Sequence, residues 1–564
     1  MAHHTHSPRG TGPLDGDPES RRSSAPRRCA PRTRPAGTFT GASGAATAAA
    51  LALVVLAGVG AAAAPSRTDA YGLPGGPARN PSATASTPSA PPRFVPGPCP
   101  ETTEPVAALD HARCGFLEVP ENRARPGGRT IRLAVAVIPA ASAKPAADPV
   151  VYMAGGPGGD AFDDIPFLVE AGLNRDRELI VMAQRGNLHS QPNLACPEID
   201  RFSGQAVGLG YDSPSTRRLQ LRATKECRDR LAADGADLAA YNTLENATDF
   251  ADLRTALGIR QWNVYAYSYG TDLALTYMRD HPGGIRSVTL DSVTPPQTVN
   301  LPWTWSSAQE GIGAIFRACE AEPKCKSRYP NLPRTLAQQV SRLEARPMTL
   351  DASPPGGGKP VKVVLDGGAL LNLLVSNSVP AADVPAALDE LARGRPERFA
   401  RARAAGAHPA VGETAHGLTE SVACGEWVPG HSESDVLRAG RRAFPGWPDT
   451  VLAQAPQLPF QHEVCGVWKV PDRTASQRVA PVSSIPTLVV SGTYDAKTGA
   501  SWGARTAKTL SRSTVVRIPG IGHFVVPQSP CAQEVLASFL ARPTAPDTSC
   551  VANLKPKPFT IVPR

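Results

Sequence analysis

The sequence has no Gly-X-Y repeat, no Cys-x-x-Cys or cysteine–histidine spacing of the kind that binds zinc, and little excess charge. The first absence excludes a collagen-like protein, and the second argues against a zinc site. Lys and Arg number 59 against 50 Asp and Glu, and residues 1–64 alone hold seven Arg against three acids. The other 500 residues therefore carry a net charge of only +5, which indicates no nucleic-acid partner. We expect neither a cofactor nor a metal ion.

The first 97 residues look like a targeting segment followed by a spacer. Six Arg between positions 21 and 34 precede an uninterrupted run of small and apolar residues from Ala45 to Ala64. This order is typical of a secretory signal, although about 20 apolar residues could also anchor the chain in a membrane. We assign residues 1–64 to this signal or anchor, and residues 65–97, rich in Pro, Ser, Ala and Gly, to a flexible linker. Both alternatives export the bulk of the chain.

The cysteine count supports export. Cys29 lies upstream of the apolar run, which leaves ten cysteines, and an even number in an exported chain suggests disulfide bonds. Five bridges are therefore expected, while the connectivity stays open. Pairing sequence neighbours would give Cys99–Cys114, Cys196–Cys227, Cys319–Cys325, Cys424–Cys465 and Cys531–Cys550.

From Cys99 onward, short β-branched strands alternate with helices, which predicts an α/β fold with a mostly parallel sheet. The predicted strands are Phe116–Val119, Thr130–Ile138, Val150–Met153, Leu179–Ala183, Val264–Tyr267, Ser287–Leu290, Thr487–Ser491 and Val515–Ile518. Helices are predicted at Ala247–Leu257 and Thr271–Arg279. The alternation of strands and helices stops at residues 297–480, where the pattern predicts a largely helical insertion. It separates a first core part (98–296) from a second (481–550), and residues 551–564 form a tail.

The segment around Ser268 predicts a nucleophile on a sharp turn between a strand and a helix. Ala266 and Gly270 flank it in the pattern Ala-x-Ser-x-Gly, a mild departure from Gly-x-Ser-x-Gly because Ala is still small. Such a turn projects the hydroxyl above the edge of the sheet. The backbone N–H of Tyr269 would then point at a developing oxyanion.

A serine nucleophile needs a base, and the base needs an acid that orients it. In folds of this kind the order along the chain is serine, acid, histidine. Asp495 follows a predicted strand and His523 follows the next one, so they are the expected acid and base. Asp291, also at a strand end, is the rival acid. The rival bases all precede Asp495 and violate the order; they are His281, His408, His416, His431 and His462.

A glycine-rich turn, Gly155-Gly156-Pro157-Gly158-Gly159, follows a predicted strand upstream of the nucleophile. Glycines leave backbone N–H groups unobstructed, so Gly155 and Gly156 are candidates for the second oxyanion donor. The turn lacks the spacing and the Lys of a phosphate-binding loop.

Taken in order, these motifs resemble the secreted tripeptidyl-aminopeptidase-like α/β-hydrolases, relatives of the prolyl aminopeptidases (peptidase family S33). The resemblance runs from about Cys99 to Cys550, and its last part includes Cys531 and Cys550 as the paired cysteines of the family's C-terminal, TAP-like segment. Ala154 stands where the prolyl enzymes have His, and Ala183, Asn187 and Leu188 break the family's Asp-x-Arg-Gly-Thr-Gly turn. The matching segments are Gly155–Gly159, Gln184–Gly186, Asp249–Gly258, Ser268–Thr271, Leu290–Pro295, Gly492–Asp495 and Gly522–His523.

The resemblance implies an α/β-hydrolase fold in which the insertion is a cap over the active site. Family enzymes bind the free α-amine of the substrate with acidic side chains on or near the cap. Here Cys424-Gly-Glu426 resembles the family's Cys-x-Asp element, which makes Glu426 the candidate amine ligand. The alternative for Glu426 is a solvated acid beside a disulfide.

These observations predict a secreted or cell-surface serine hydrolase, an aminopeptidase that releases N-terminal residues or short peptides. Its partners would be peptides with a free N-terminus, and a membrane only if the apolar run is retained. Because a fold does not fix a substrate, an esterase or lipase of the same fold is the alternative enzyme. An inactive surface module that binds a partner through the same scaffold is the alternative outside enzymes.

Overall fold

A computed structural model describes residues 92–125, 127–298, 300–412 and 414–563. The predicted signal, most of the linker and Cys29 lie outside this part of the chain. None of the helices within the described ranges is long and apolar enough to cross a membrane.

Ten strands of the described chain form one sheet in the order β1-β2-β3-β5-β4-β7-β8-β11-β12, with β6 paired to β3. The six strands from β5 to β12 in that order are parallel, and the β1, β2, β3 and β6 pairings are antiparallel. The strands of this sheet are β1 (Arg93–Pro96), β2 (Arg113–Pro120), β3 (Thr130–Ile138), β4 (Val150–Met153), β5 (Leu179–Met182), β6 (Ser190–Gln191), β7 (Trp262–Tyr267), β8 (Ile285–Asp291), β11 (Thr487–Gly492) and β12 (Ser513–Ile518). Two further strands, β9 (Met348–Ala352) and β10 (Val361–Leu365), pair separately. The prediction of a mostly parallel α/β sheet is confirmed.

Helices cover both faces of this sheet, as buried parallel strands require. α4 and α5 pack on one face, where Phe250 and Leu273 are fully buried, and α1 and α19 pack on the other, with Leu168 and Phe539 fully buried. The helices of the sheet region are α1 (Ile165–Glu170), α2 (Pro197–Ala206), α3 (Pro214–Ala233), α4 (Thr243–Ala256) and α5 (Tyr269–Asp280) before β8, and α17 (Ala500–Thr506), α18 (Val525–Gln528) and α19 (Pro530–Ala541) after β11.

Two of the predicted helices begin earlier than the sequence pattern indicates. α4 starts at Thr243 rather than Ala247, because the Asn242 side chain accepts a hydrogen bond from the N–H of Glu245 and caps the first turn. α5 starts at Tyr269, directly after Ser268, so the nucleophile candidate stands at the N-cap position.

Residues 297–480, which we call the cap, lie between β8 and β11 in the chain and are mostly helical. They also contain an antiparallel pair, β9 and β10, which the sequence analysis did not predict. Trp305, Leu343 and Leu388 are fully buried in the cap's own core. The cap helices are α6 (Leu301–Ala321), α7 (Pro323–Arg328), α8 (Leu332–Ala345), α9 (Gly367–Val375), α10 (Val384–Ala392), α11 (Glu397–Ala404), α12 (His416–Val422), α13 (Glu433–Ala443), α14 (Asp449–Leu452), α15 (Gln461–Trp468) and α16 (Thr474–Gln477).

Two of the segments outside the cap that pack against it are α3 and the last residues of the chain. α3 packs against α15, and Arg228 donates a hydrogen bond to the carbonyl oxygen of Trp468 (2.8 Å). The last residues also contact the cap, since the N–H of Thr560 donates to the carbonyl of Ala382 and Phe559 is buried. Residues 551–564 are therefore not a free tail over their described part.

Five disulfide bonds join the ten described cysteines as sequence neighbours. The pairs are Cys99–Cys114, Cys196–Cys227, Cys319–Cys325, Cys424–Cys465 and Cys531–Cys550.

Candidate active site

Ser268 lies on the sharp turn between β7 and α5. Its φ of 54° and ψ of −123° are uncommon for a residue with a side chain, and such strain is concentrated at functional sites. The turn is tight because α5 approaches β4 closely: a Cβ at Gly270 would lie 2.0 Å from the carbonyl oxygen of Met153. The sequence pattern predicted this geometry from small residues on both sides of the serine.

His523 brings the ends of three parallel strands together through its two ring nitrogens. Its Nε2 lies 2.9 Å from Oγ of Ser268, and its Nδ1 lies 2.8 Å from Oδ2 of Asp495. If Nδ1 carries the proton that faces Asp495, Nε2 is free to accept the proton of Ser268. The three predicted residues are therefore within hydrogen-bonding distance in the order that nucleophilic catalysis requires.

The carboxylate of Asp495 is buried and accepts hydrogen bonds from several donors. The backbone N–H groups of Lys497 and Thr498 donate to Oδ1 (2.9 Å each), and Oγ1 of Thr498 donates to Oδ2 (2.6 Å). Burial opposes ionisation, but the charge of His523 and the hydrogen bonds from His523 and Thr498 outweigh it and lower the pKa of Asp495 below its ordinary value. Asp495 is thus held as the anion that orients the imidazole.

Asp291, the rival acid, is hydrogen-bonded elsewhere. Its carboxylate accepts from the backbone N–H groups of Val525 (3.0 Å) and Val526 (2.8 Å) and from the hydroxyl of Tyr265 (2.9 Å). Its backbone carbonyl accepts from the N–H of Ser268 (3.0 Å). Asp291 therefore ties the nucleophile turn to the loop that carries His523, a positioning role that its strand-end location alone did not reveal.

Four of the five rival histidines make contacts away from the nucleophile. His281 is 3.2 Å from Oγ1 of Thr248, His416 is 2.8 Å from Asp200, and His462 contacts the carbonyl of His431. Within the described ranges the imidazole beside Ser268 is that of His523.

The three predicted oxyanion donors differ in whether they line the cavity that holds Ser268. Tyr269 is the first residue of α5, where a backbone N–H has no partner within the helix, and both Tyr269 and Gly156 line the cavity that holds Ser268. Gly156 has a φ of +115°, which disfavours any other residue. Gly155 lies behind them, where a Cβ would come within 2.9 Å of the Tyr267 ring and 3.1 Å of Cβ of Ser268. Gly155 thus permits close packing, whereas Gly156 lines the cavity and stays a candidate donor.

A cavity of about 380 Å³ opens in front of Ser268 and His523. The floor comes from the sheet region and includes Gly156, Tyr269 and Trp502. The cap supplies the roof, formed by Asn300, Leu301, Thr304, Thr419, Trp427, Pro456, Gln457 and Leu458. This volume is in the range of sites for small ligands and leaves no room for a folded protein domain.

Glu426 does not reach this cavity, which corrects its assignment as the amine ligand. It is buried, its Oε1 accepts from the backbone N–H of Thr243 (2.8 Å), and its Oε2 accepts from the Thr243 hydroxyl (2.6 Å). That hydroxyl is 3.0 Å from the hydroxyl of Tyr269. Burial raises the pKa of Glu426 to about 7, against the opposing effect of the Thr243 hydrogen bonds. The alternative, a solvated acid, is wrong as well.

The Gln184–Gly186 segment has a structural role that its sequence pattern did not indicate. Arg185 is fully buried and makes paired hydrogen bonds of 2.7 Å to both oxygens of Asp249 on α4. The side chain of Gln184 donates to the carbonyl of Ala154 (2.9 Å), next to the glycine-rich turn. Both residues belong to the segments that resemble the family, and both hold the turn and α4 in place rather than contact the cavity.

The parallel sheet, the serine on its strand–helix turn and the hydrogen-bonded histidine and aspartate define a serine hydrolase of the α/β-hydrolase fold. Residues 454–551 match the family model described as TAP-like protein. The chain therefore has the α/β-hydrolase fold, and its residues 454–551 are similar to the TAP-like segment.

Similar proteins include peptidases. The chain is 24% identical over 476 residues to the serine protease Hip1 of Mycobacterium tuberculosis, across 80% of this chain and 89% of that protein. It is 27% identical over 225 residues to the tripeptidyl aminopeptidase of Streptomyces coelicolor, across 36% of this chain and 41% of that protein. Among solved structures, the proline iminopeptidase of Mycobacterium smegmatis is 17% identical, with 76% of this chain and 98% of that one covered and a TM-score of 0.35.

Proposed function

We propose that this protein is an exported serine exopeptidase that releases N-terminal residues or short peptides. The observation that carries the proposal is the hydrogen-bonded set of Ser268, His523 and Asp495 at the floor of a cavity that the cap covers. A covered cavity of this size admits the end of a peptide more readily than the middle of a folded chain.

In the proposed reaction, Oγ of Ser268 attacks the substrate carbonyl while Nε2 of His523 takes its proton. Asp495 stabilises the resulting imidazolium, and the N–H groups of Tyr269 and Gly156 stabilise the negative charge on the carbonyl oxygen. His523 then protonates the leaving amine, and the acyl group stays on Ser268. A water molecule, activated by the same imidazole, releases the acyl product and restores the serine.

The peptidase part of the proposal is supported by the relatives. One of them is named a serine protease and another a tripeptidyl aminopeptidase. The match of residues 454–551 to the TAP-like model covers α15, β11 and β12 and both Asp495 and His523.

Export is supported by the five disulfide bonds of the described chain, since such bonds persist in oxidising compartments. The predicted signal precedes all of these cysteines in the sequence.

A panel of tripeptide p-nitroanilides with free and acetylated N-termini tests the exopeptidase proposal, with Ser268→Ala as the control for background cleavage. We expect free peptides to be cleaved at least about tenfold better in kcat/KM, a difference of roughly 1.4 kcal/mol. Equal cleavage of both forms would indicate an endopeptidase. Turnover of p-nitrophenyl esters without cleavage of any peptide would make the protein an esterase.

A further inference from the structure

A lysine, Lys497, is among the residues that line the active-site cavity. It follows Asp495 by two residues and lines the same cavity as Ser268 and His523. Its backbone N–H donates to Oδ1 of Asp495 (2.9 Å), so the position of the residue is fixed by the same loop that positions the acid. This hydrogen bond fixes the backbone of Lys497 relative to Asp495.

The ammonium group of Lys497 has no counter-ion at contact distance. Among the described residues, no carboxylate oxygen lies within 4.0 Å of its Nζ, and no hydrogen bond involves that atom. Asp495 is the acid that acts on it electrostatically, but the oxygens of Asp495 already accept from His523, Thr498 and two backbone N–H groups. Burial lowers the pKa of Lys497, and the charge of Asp495 offsets this only in part.

The rest of the cavity offers nothing that would neutralise this charge. The described residues that line it are apolar or neutral, apart from Lys497 and the imidazole of His523. A partly buried cation without a partner is unfavourable, and an anion that enters the cavity would pair with it. A substrate ammonium directly beside Lys497 would be repelled instead, so the free amine of a peptide cleaved in the proposed reaction would have to lie away from this lysine.

We propose that Lys497 selects substrates that place a carboxylate in the cavity beside the scissile bond. This inference rests on the proposed hydrolysis by Ser268. The carboxylate could be an Asp or Glu side chain next to the scissile carbonyl, or the free carboxy terminus of a short peptide. Both have the same chemistry, and the experiment separates them.

The test compares substrate pairs that differ only in charge. One pair has Glu or Gln at the residue that supplies the scissile carbonyl, and the second is a short peptide with a free or an amidated carboxy terminus. A third pair is the 4-nitrophenyl ester of glutaric acid and that of its neutral monoamide, which need no peptidase activity. The quantity measured is the ratio of kcat/KM between the anionic and the neutral member.

We expect a ratio of at least about ten for one of the peptide pairs and for the ester pair, falling to near one in Lys497→Met. Lys497→Arg should keep much of the preference, and Lys497→Glu should reverse it. Lys508→Met, which removes an exposed lysine beyond α17, is the matched control and should leave the ratio unchanged. The peptide pair that responds identifies whether a side chain or a chain end supplies the carboxylate.

Two results would overturn the inference. One is a wild-type ratio near one for all three pairs. The other is an equal loss for both members of each pair in Lys497→Met, which would mean that the lysine acts on the reacting atoms rather than on a substrate charge. If no peptide is cleaved but the ester pair keeps its charge preference, the peptidase proposal fails and the role of Lys497 stands.

Discussion

Thr498 joins the acid and the base of the site. Its Oγ1 donates to Oδ2 of Asp495 at 2.6 Å and lies 3.2 Å from Nδ1 of His523. A hydrogen bond to a charged group contributes about 1.5–3 kcal/mol, and part of this holds Asp495 in line with the imidazole. The role of Thr498 could not be predicted, because a threonine three residues after an acid is common and carries no signal of its own.

Replacing Thr498 with Val should lower kcat by about tenfold or more, which corresponds to roughly 1.4 kcal/mol of transition-state stabilisation. The physical reason is the loss of the donor that orients the Asp495 carboxylate. Steady-state kinetics on one ester substrate provides the measurement. Thr498→Ser keeps the hydroxyl and should retain most of the activity, whereas an unchanged kcat in the Val variant would assign Thr498 to packing alone.

Glu426 should make the stability of the protein depend on pH. Folding raises its pKa from 4.5 to about 7, so the folded state binds more protons than the unfolded state between these values. The contribution of Glu426 to the free energy of unfolding is therefore fully present below about pH 4.5. It is lost as the pH rises to 7 and above, by at most about 3 kcal/mol. Glu426→Gln cannot ionise and can still accept from the N–H of Thr243.

The expected result is that Glu426→Gln gains stability relative to the wild type as the pH is raised from 5 to 8. Denaturant unfolding at the two pH values measures this. Glu534→Gln, at an exposed position of α19, serves as the control and should show no such gain. A difference between Glu426→Gln and the wild type that is the same at both pH values would disprove the assignment.

Single residues differed in how far the sequence could predict them. Ser268, Asp495 and His523 each follow a strand, and short local patterns mark strand ends, so their meeting at one edge of the sheet could be predicted. The direction of the Glu426 side chain could not be predicted from the sequence. It depends on how residues 423–427 pack against Thr243, which is 183 positions away in the sequence.

At the scale of elements, disulfide bonds should stabilise their segments according to loop length. Cys531–Cys550 closes 19 residues and holds residues 549–553 against α19, while Cys319–Cys325 closes only six. The loop-entropy model gives about 3 kcal/mol for the longer loop and about 2 kcal/mol for the shorter. Replacing both cysteines of a pair with Ala should lower the free energy of unfolding in that order.

Denaturant titration of the two double variants checks this expectation, with enzymatic activity below the transition as the test of a native fold. A larger loss for the Cys319/Cys325 variant than for the Cys531/Cys550 variant would contradict the loop-entropy account. Strain or packing at Cys319–Cys325 would then determine the change in the free energy of unfolding more than loop length does.

Elements with a clear apolar period were predictable, and elements defined by distant contacts were not. The core strands are short β-branched runs, so their positions agree with the structure to within a few residues. α3 was missed because residues 214–233 are rich in Arg and other polar residues, and the face that packs on α15 is narrow. β9 and β10 were missed because, in the described part of the chain, they pair with each other alone, inside a segment whose pattern is helical.

At the scale of the whole molecule, the cap turns an open sheet edge into a covered cavity. The insertion between β8 and β11 could be recognised from the break in the strand–helix rhythm. Its attachments could not be recognised, since α3 precedes the insertion in the sequence and residues 559–562 follow it, both at a distance. The roof of the cavity therefore depends on contacts that a single sequence does not encode in any local pattern.

The most direct test of the central claim is labelling with a fluorophosphonate probe, which phosphonylates an activated serine with loss of fluoride. We expect one mole of probe per mole of wild-type protein, with the adduct on Ser268 by peptide mass spectrometry. Ser268→Ala should take up no probe, and His523→Ala should react at least about a hundredfold more slowly, because general-base catalysis contributes 10² to 10⁴. A folded wild-type protein that does not react, or that is labelled at another serine, would contradict the account.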